Sequence, residues 1–247
     1  MREQPTQQPP PVQKLRIQYA KRGRLRFTSH RDFSRAFERA IRRAELPIAY
    51  SSGFSPHPRI SYANASPTGA ASEAEYLEIG VTTPCEPATV HERLDEALPQ
   101  GLDIVTVVVA APGALADRLE ASRWRIDMPG IEPDAATAAV QKFLAKTSVE
   151  VERMTKRGMR SFDCRAPVVS LVVRSGHVSA ATCAILEVVV RHGTPAVRPD
   201  DILAGLREIA GLVAPAPPHQ TRLAQGPLDL ETGSVGDPLG PDRDASA

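Results

Sequence analysis

Cysteine is scarce in this sequence, and the three cysteines stand far apart, at Cys85, Cys164 and Cys183. No C-x-x-C or C-x-x-x-C-x-x-C spacing occurs, so neither a zinc site nor an iron–sulfur cluster has an evident ligand set. We therefore predict buried, reduced thiols, no metal and no cofactor.

Long hydrophobic runs are also missing. The longest candidate, from Ile104 to Ala111, has the length of a buried strand, so we expect no membrane association. The first residues are polar and proline-rich, which does not fit a signal peptide and favours a cytoplasmic, soluble protein. The formal net charge is only +1. Binding to an anionic partner would therefore depend on local clusters of basic residues.

The pattern after the N-terminal segment predicts a strand followed by a helix. Apolar residues alternate with polar ones over Lys14–Ala20, as in a half-buried strand, and Leu25–Phe27 could continue as extended chain. Ser29 has the features of a helix N-cap, with Asp32 three residues later. The apolar stripe of the helix that follows comprises Phe33, Ala36, Phe37, Ala40, Ile41 and Ala44.

Further elements complete a β-α-β-β-α-β order, which is the ferredoxin-like arrangement of an α+β fold. Two short strands are predicted at Arg59–Ala63 and Tyr76–Val81. A second helix is predicted at Ala88–Leu98, and a closing strand at Ile104–Ala110. We assign residues 14–111 to this domain.

A second α+β domain is predicted over residues 121–213, after a linker at 112–120. It could repeat the ferredoxin-like order in tandem, although no terminal strand is evident after Gly211. Proline, glycine and aspartate are frequent beyond that point. We therefore expect disordered tails at residues 1–13 and 214–247.

Three motifs resemble a known bacterial family. They are Arg24–Phe27 with Ser29-His30 and Asp32, then Gly53-Phe54-Ser55-Pro56-His57-Pro58, then Ser72-Glu73-Ala74-Glu75-Tyr76. Together they resemble the radical SAM-linked domain, an uncharacterised domain fused behind a radical SAM protein or encoded beside one. The resemblance implies an accessory role. The radical SAM enzyme itself would be a separate polypeptide, since the sequence lacks its cysteine motif.

The most basic part of the sequence lies between Lys14 and Arg43. It holds eleven basic residues and only two acidic ones, an excess of nine positive charges. Arg31, Arg35, Arg39 and Arg42 are spaced so that they line one face of the predicted helix. This face, with Arg24 and Arg26, is a candidate RNA-binding surface. The alternative is a solvated face whose arginines pair with acidic residues elsewhere.

The glycine- and proline-rich loop from Gly53 to Gly69 is a second candidate for ligand binding. Phe54 and Tyr62 could stack on bases, and His57 and Arg59 could contact phosphate. We expect this loop to fold over the start of the Ser29–Ala44 helix and to share one pocket with it. Alternatively, the loop is only a connection packed by its own prolines.

Two further groups of residues are weaker candidates. His30, Asp32 and His57, with Glu73 or Glu75, could converge into a catalytic or metal site of a hydrolase or transferase. In the second domain, Lys156 and Arg157 belong to a basic hairpin that could extend an RNA-binding surface.

Three functions are therefore compatible with the sequence. The favoured one is a non-catalytic accessory protein that binds tRNA or rRNA and acts with a separate radical SAM modification enzyme. The alternatives are an enzyme with a site around His30 and His57, and a protein–protein adaptor without nucleic acid.

Overall fold

The computed structural model describes residues 7–155, 158–178 and 181–245. The chain forms two compact units. The first comprises Met1–Arg118 with Pro238–Ala247, and the second comprises Leu119–Asp237. Both units combine helices with an antiparallel sheet, which confirms the α+β fold class.

The first unit has the predicted ferredoxin-like order. Its elements are β1 (Gln13–Lys21), a 3-10 helix (Gly23–Phe27), α1 (His30–Arg43), β2 (Ile60–Ala63), β3 (Ala71–Val81), α2 (Pro87–Ala97) and β4 (Leu102–Val109). Strand β1 pairs with both β3 and β4, and β2 pairs with β3, all antiparallel. The resulting order, β4-β1-β3-β2, is that of the ferredoxin-like fold.

The second unit repeats this topology and adds a hairpin. Its elements are β5 (Ala121–Met128), α3 (Pro133–Leu144), β6 (Glu150–Thr155), β7 (Gly158–Asp163), β8 (Val168–Val178), β9 (Ala181–Arg191), α4 (Pro199–Ala210) and β10 (His219–Gly226). The antiparallel sheet has the order β10-β5-β9-β8. The β6–β7 hairpin stands between α3 and β8 in the chain.

Helix α1 forms as its sequence pattern predicts. Ser29 caps the helix by accepting a hydrogen bond from the backbone N–H of Asp32. The apolar stripe is buried, and Phe33 stacks on Tyr19 of β1 with ring centroids 4.4 Å apart. Phe37 is fully buried in the same core. Burial of each such side chain contributes about 1.5–3 kcal/mol, and this packing leaves the opposite face of α1 to solvent.

The C-terminal region corrects the sequence prediction. Instead of being disordered throughout 214–247, the chain forms β10, which pairs with β5. It then returns to the first unit as the short helix α5 (Gly240–Asp244). Asp242 of α5 is fully buried and accepts hydrogen bonds from Arg16 at 2.6 Å and from Arg118 at 2.8 Å. These contacts explain why Arg16 is buried despite its polar position in the alternation of β1.

Other boundaries differ from the prediction as well. Leu25–Phe27 belongs to a 3-10 helix and not to an extended segment. The predicted linker contains a 3-10 turn at Leu115–Arg118, and Leu115 and Leu119 are buried. The predicted N-terminal tail ends earlier, since the Val12 N–H donates to the Val81 carbonyl.

The cysteines are free thiols, as predicted. Cys164 and Cys183 are buried, whereas Cys85 is half-buried. Burial raises the pKa of the Cys164 thiol to about 12, so this residue stays protonated and unreactive near neutral pH.

Candidate nucleic-acid interface

The predicted arginine row lies on the solvent-facing side of α1. Arg31, Arg35, Arg39 and Arg42 are all exposed. From the first to the last, the row extends about 16 Å along the helix axis. The row and the buried apolar stripe lie on opposite faces of the helix, as is usual for a helix that covers a sheet with one face.

The arginines of α1 and of the 3-10 helix before it form no ion pair with a described acidic residue. Within the described part of the chain, no ion pair is formed by Arg24, Arg26, Arg31, Arg35, Arg39, Arg42 or Arg43. We call these seven residues the arginine surface. Its members are exposed except for Arg26, which is half-buried. The interpretation that acidic residues elsewhere neutralise this face is therefore not supported.

The remaining basic residues of the same stretch are used differently. Lys14 and Arg16 pair with Glu78, and Arg22 pairs with Glu73 and Asp103. Lys21 is buried and donates to the Pro67 carbonyl at 3.4 Å. The hydrogen bond with Glu73 is the main reason why the pKa of Arg22 rises above its ordinary value. The positive charge that remains available is thus concentrated on α1 and the preceding 3-10 helix.

The two acidic residues of α1 stand at helical spacing from the row, since Asp32 precedes Arg35 by three residues and Glu38 precedes Arg42 by four, but each has another neighbour. Asp32 accepts a hydrogen bond from the Ser29 hydroxyl at 2.6 Å, at the helix start. Glu38 lies close enough to Tyr62 that its charge adds to the effect of burial in raising the pKa of the Tyr62 hydroxyl. Neither carboxylate forms an ion pair with the arginine row among the described contacts.

The C-terminal half of α1 borders two shallow depressions. Arg39 and Arg43 line one of about 340 Å³ together with Leu98 and Pro99. Arg43 also lines a second of about 320 Å³, opposite Arg93 of α2. Arginine side chains that border an open depression are able to contact successive phosphates of one strand.

The 3-10 helix before α1 adds an aromatic residue that the sequence analysis did not select. Phe27 is 59% exposed, although Leu25 beside it packs against the core. The Arg26 guanidinium lies over the Phe27 ring, with its central carbon 4.7 Å from the ring centroid. The available signal is the sequence Arg24-Leu25-Arg26-Phe27, in which basic residues alternate with apolar ones.

The predicted packing of the loop from Gly53 to Gly69 against the start of α1 is confirmed only for the second half of the loop. Tyr62 contacts His30 edge-to-face, with ring centroids 4.8 Å apart, and also meets Phe33. The Gly69 N–H donates to the carbonyl oxygen of Arg26 at 2.8 Å. The second half of the loop therefore packs against the helix start and the 3-10 helix.

The first half of the loop makes other contacts. The His57 N–H donates to the Ser51 hydroxyl at 3.0 Å, and Arg59 donates to the carbonyl of Tyr50 at 3.2 Å. Phe54 is 73% exposed. None of the hydrogen bonds or ring contacts that these three loop residues make within the described chain reaches α1. Their proposed part in a pocket shared with the helix is thus without support from the geometry.

The candidate acid–base residues are not brought together by the described contacts. His30 contacts Tyr62, whereas His57 lies beside Ser51. Glu73 pairs with Arg22, and the buried Glu75 accepts a hydrogen bond from the Ser66 N–H at 2.9 Å. Among the described residues there is no group of three or more His, Cys, Asp or Glu side chains that could hold a metal ion.

The β6–β7 hairpin of the second unit is present, but Lys156 and Arg157 lie outside the described residues. Arg160 is exposed on the hairpin. Arg153 is instead engaged with Asp201 at 2.6 Å and stacks on Phe162. The described part of the hairpin therefore offers one accessible arginine.

The second unit also contains a Ser–His pair that the sequence did not reveal. His192 Nδ1 lies 2.7 Å from the Leu119 carbonyl oxygen, which can only accept, so Nδ1 carries the proton. Nε2 then accepts from the Ser122 hydroxyl at 2.5 Å. Burial lowers the pKa of His192 and favours this neutral form. Because Ser122 is only 2% exposed, its hydroxyl is closed to a substrate.

Comparison with known proteins identifies the family of the chain. Residues 14–199 match the model of a family described as "Uncharacterized protein conserved in bacteria (DUF2344)". No curated protein matches the chain. No helix among the described residues is long and apolar enough to cross a membrane. Since the matched residues cover most of both units, the chain belongs to this bacterial DUF2344 family.

Proposed function

We propose that this protein binds RNA through the arginine surface and serves as a non-catalytic accessory protein to a separate radical SAM enzyme that modifies tRNA or rRNA. The observation that carries the proposal is the set of seven arginines without an ionic partner among the described residues. They lie on one helix and the adjacent 3-10 helix.

The energetics of α1 favour a polyanionic partner. Like charges one turn apart destabilise a helix by about 0.2–0.5 kcal/mol per pair. The row contains three successive spacings of this kind, and its side chains gain no compensating ion pair within the described chain. Phosphate contacts would relieve the repulsion and release counterions from the nucleic acid, which is the main source of sequence-independent affinity.

RNA is favoured over duplex DNA for two reasons. The sequence has no helix-turn-helix or zinc-finger pattern that would place a recognition helix in a major groove. The arginine surface also adjoins an exposed aromatic ring, which suits unpaired bases. A ferredoxin-like fold is compatible with RNA binding, although folds of this class host many functions.

The link to a radical SAM enzyme comes from the resemblance of the three sequence motifs. The chain has three cysteines without the spacing of a cluster-binding motif. The radical chemistry would therefore belong to the partner, and this protein would hold the RNA substrate for it.

A salt titration of RNA binding tests the proposal against a protein–protein adaptor. Fluorescence anisotropy of labelled tRNA and rRNA fragments is measured over a range of potassium chloride concentrations. An RNA-binding protein gives a logarithmic affinity that falls linearly with the logarithm of salt concentration. Absence of saturable binding at low salt would contradict the proposal and favour the adaptor.

A further inference from the structure

The 3-10 helix at Gly23–Phe27 presents an aromatic ring that the core does not use. In Arg24-Leu25-Arg26-Phe27, the Leu25 side chain packs against the hydrophobic core, but Phe27 remains 59% exposed. Phe27 is thus a large apolar side chain held at the surface, next to a cluster of unpaired arginines.

The Phe27 ring is held in place by its neighbours. The Arg26 guanidinium covers one of its faces at 4.7 Å from the centroid. Gly69 lies at its edge, where an added Cβ would stand 3.9 Å from the ring, and the Gly69 N–H is bonded to the Arg26 carbonyl. A ring fixed in this way loses little conformational entropy when a flat ligand stacks on it.

Two arginines lie within reach of a ligand on this ring. In a 3-10 helix the side chains at positions i and i+3 eclipse, so Arg24 stands on the same side as Phe27. Arg31 follows Phe27 by four residues, which limits their Cα separation to about 14 Å. Both arginines are exposed and form no ion pair with a described residue.

From this geometry we infer that the surface binds single-stranded RNA, with an unpaired base stacked on Phe27 and the adjacent phosphates bound by Arg24 and Arg31. The strand then continues along the α1 row. This inference rests on the proposed function and names its substrate class. A duplex hides its base faces in the stack, so only an unpaired or flipped base can reach the ring.

The test compares binding of a fluorescein-labelled single-stranded RNA with that of a hairpin that pairs the same sequence in its stem. The proteins are the wild type, Phe27→Leu and Phe27→Trp. Leucine keeps an apolar side chain without a flat ring, whereas tryptophan keeps a stacking surface. We expect the single strand to bind more tightly than the hairpin stem. Phe27→Leu should weaken single-strand binding by about 5- to 100-fold, and Phe27→Trp should retain it.

The salt dependence separates stacking from charge. Phe27→Leu removes no phosphate contact, so the slope of logarithmic affinity against logarithmic salt should stay at the wild-type value. Its thermal melting should also be unchanged, because the side chain is largely exposed.

Each other outcome overturns a defined part of the account. Wild-type affinity of Phe27→Leu, or tighter binding of the paired stem, refutes the stacking inference while RNA binding itself stands. Equal weakening of the leucine and tryptophan variants refutes it too, since the effect would not depend on a flat ring. Failure of the wild type to bind either RNA refutes the proposed function.

Discussion

Changing Arg35, Arg39 and Arg42 together to glutamine removes three unpaired charges from the exposed face of α1. If each contacts one phosphate of a single strand, each contributes about 0.7 to the slope of logarithmic affinity against logarithmic salt. The slope should therefore fall by about 2. At about 0.1 M salt this corresponds to a loss of up to about 100-fold, or about 2.8 kcal/mol. We expect at least tenfold, because neighbouring arginines can replace part of the contacts.

Folding of the triple variant should be intact. The three side chains are exposed and form no ion pair with a described residue, and their removal relieves like-charge repulsion of a few tenths of a kcal/mol. Circular dichroism and thermal melting check this point. Anisotropy titrations at several salt concentrations then give both the affinity and the slope.

A charge-matched control is available in the second unit. Arg123, Arg191 and Arg207 are exposed, and their replacement by glutamine changes the net charge equally. The control should keep nearly all of the affinity and the slope. The assignment of the surface to α1 is refuted if the α1 variant binds like the wild type, or if both variants lose affinity equally.

Three further predictions concern stability and the loop. Asp242→Asn should lower the free energy of unfolding by about 3 kcal/mol in urea denaturation, because it removes the buried charge that Arg16 and Arg118 share and leaves Arg16 with Glu78 alone. A change below about 1 kcal/mol would contradict this. Since burial lowers the pKa of His192, the folded state binds fewer protons than the unfolded state below the ordinary pKa of about 6.5. The free energy of unfolding should therefore decline as the pH falls below that value, and His192→Gln should reduce this pH dependence. If the melting temperature of the variant varies with pH as in the wild type, His192 is not the group responsible. His57→Ala should change the free energy of unfolding by less than about 0.5 kcal/mol, because the side chain is exposed on its loop. A sharp drop in melting temperature would show instead that His57 is structural.

Local sequence patterns predicted those helices and strands in which the regularly spaced apolar residues are the ones that become buried. Helix α1 is the clearest example, because its N-cap and its Phe33–Phe37 stripe are encoded within a few residues. The exposed arginine row followed from the same periodicity. The first ferredoxin-like unit could therefore be predicted with its surface charge.

Elements that depend on distant partners could not be predicted in this way. In β10 the polar residues Arg222 and Gln225 are buried, whereas Leu223 is half-buried, so its pattern is the reverse of a typical amphipathic strand. The Arg222 guanidinium lies over the ring of Trp124, at 5.3 Å from its centroid. Such stabilisation comes from the paired strand and leaves no local signal.

The candidate site shows the same division. The arginine row is encoded by helical spacing, but the exposure of Phe27 depends on how the 3-10 helix turns. The start of the 3-10 helix is held by a hydrogen bond from the Arg22 N–H to the Gly101 carbonyl oxygen, 2.8 Å long. Gly101 belongs to a loop that is distant in the sequence. The separation of His57 from His30 likewise depends on tertiary packing of the loop and not on the motif itself.

Crosslinking of the protein to RNA in living bacteria tests the central claim most directly. The protein is recovered after ultraviolet irradiation, the bound RNA is sequenced, and the co-purified proteins are identified in the same sample. The account predicts enrichment of tRNA or rRNA together with a radical SAM protein, and loss of the RNA from the Arg35→Gln, Arg39→Gln, Arg42→Gln variant. Recovery of no RNA above the background of an uncrosslinked sample would contradict it.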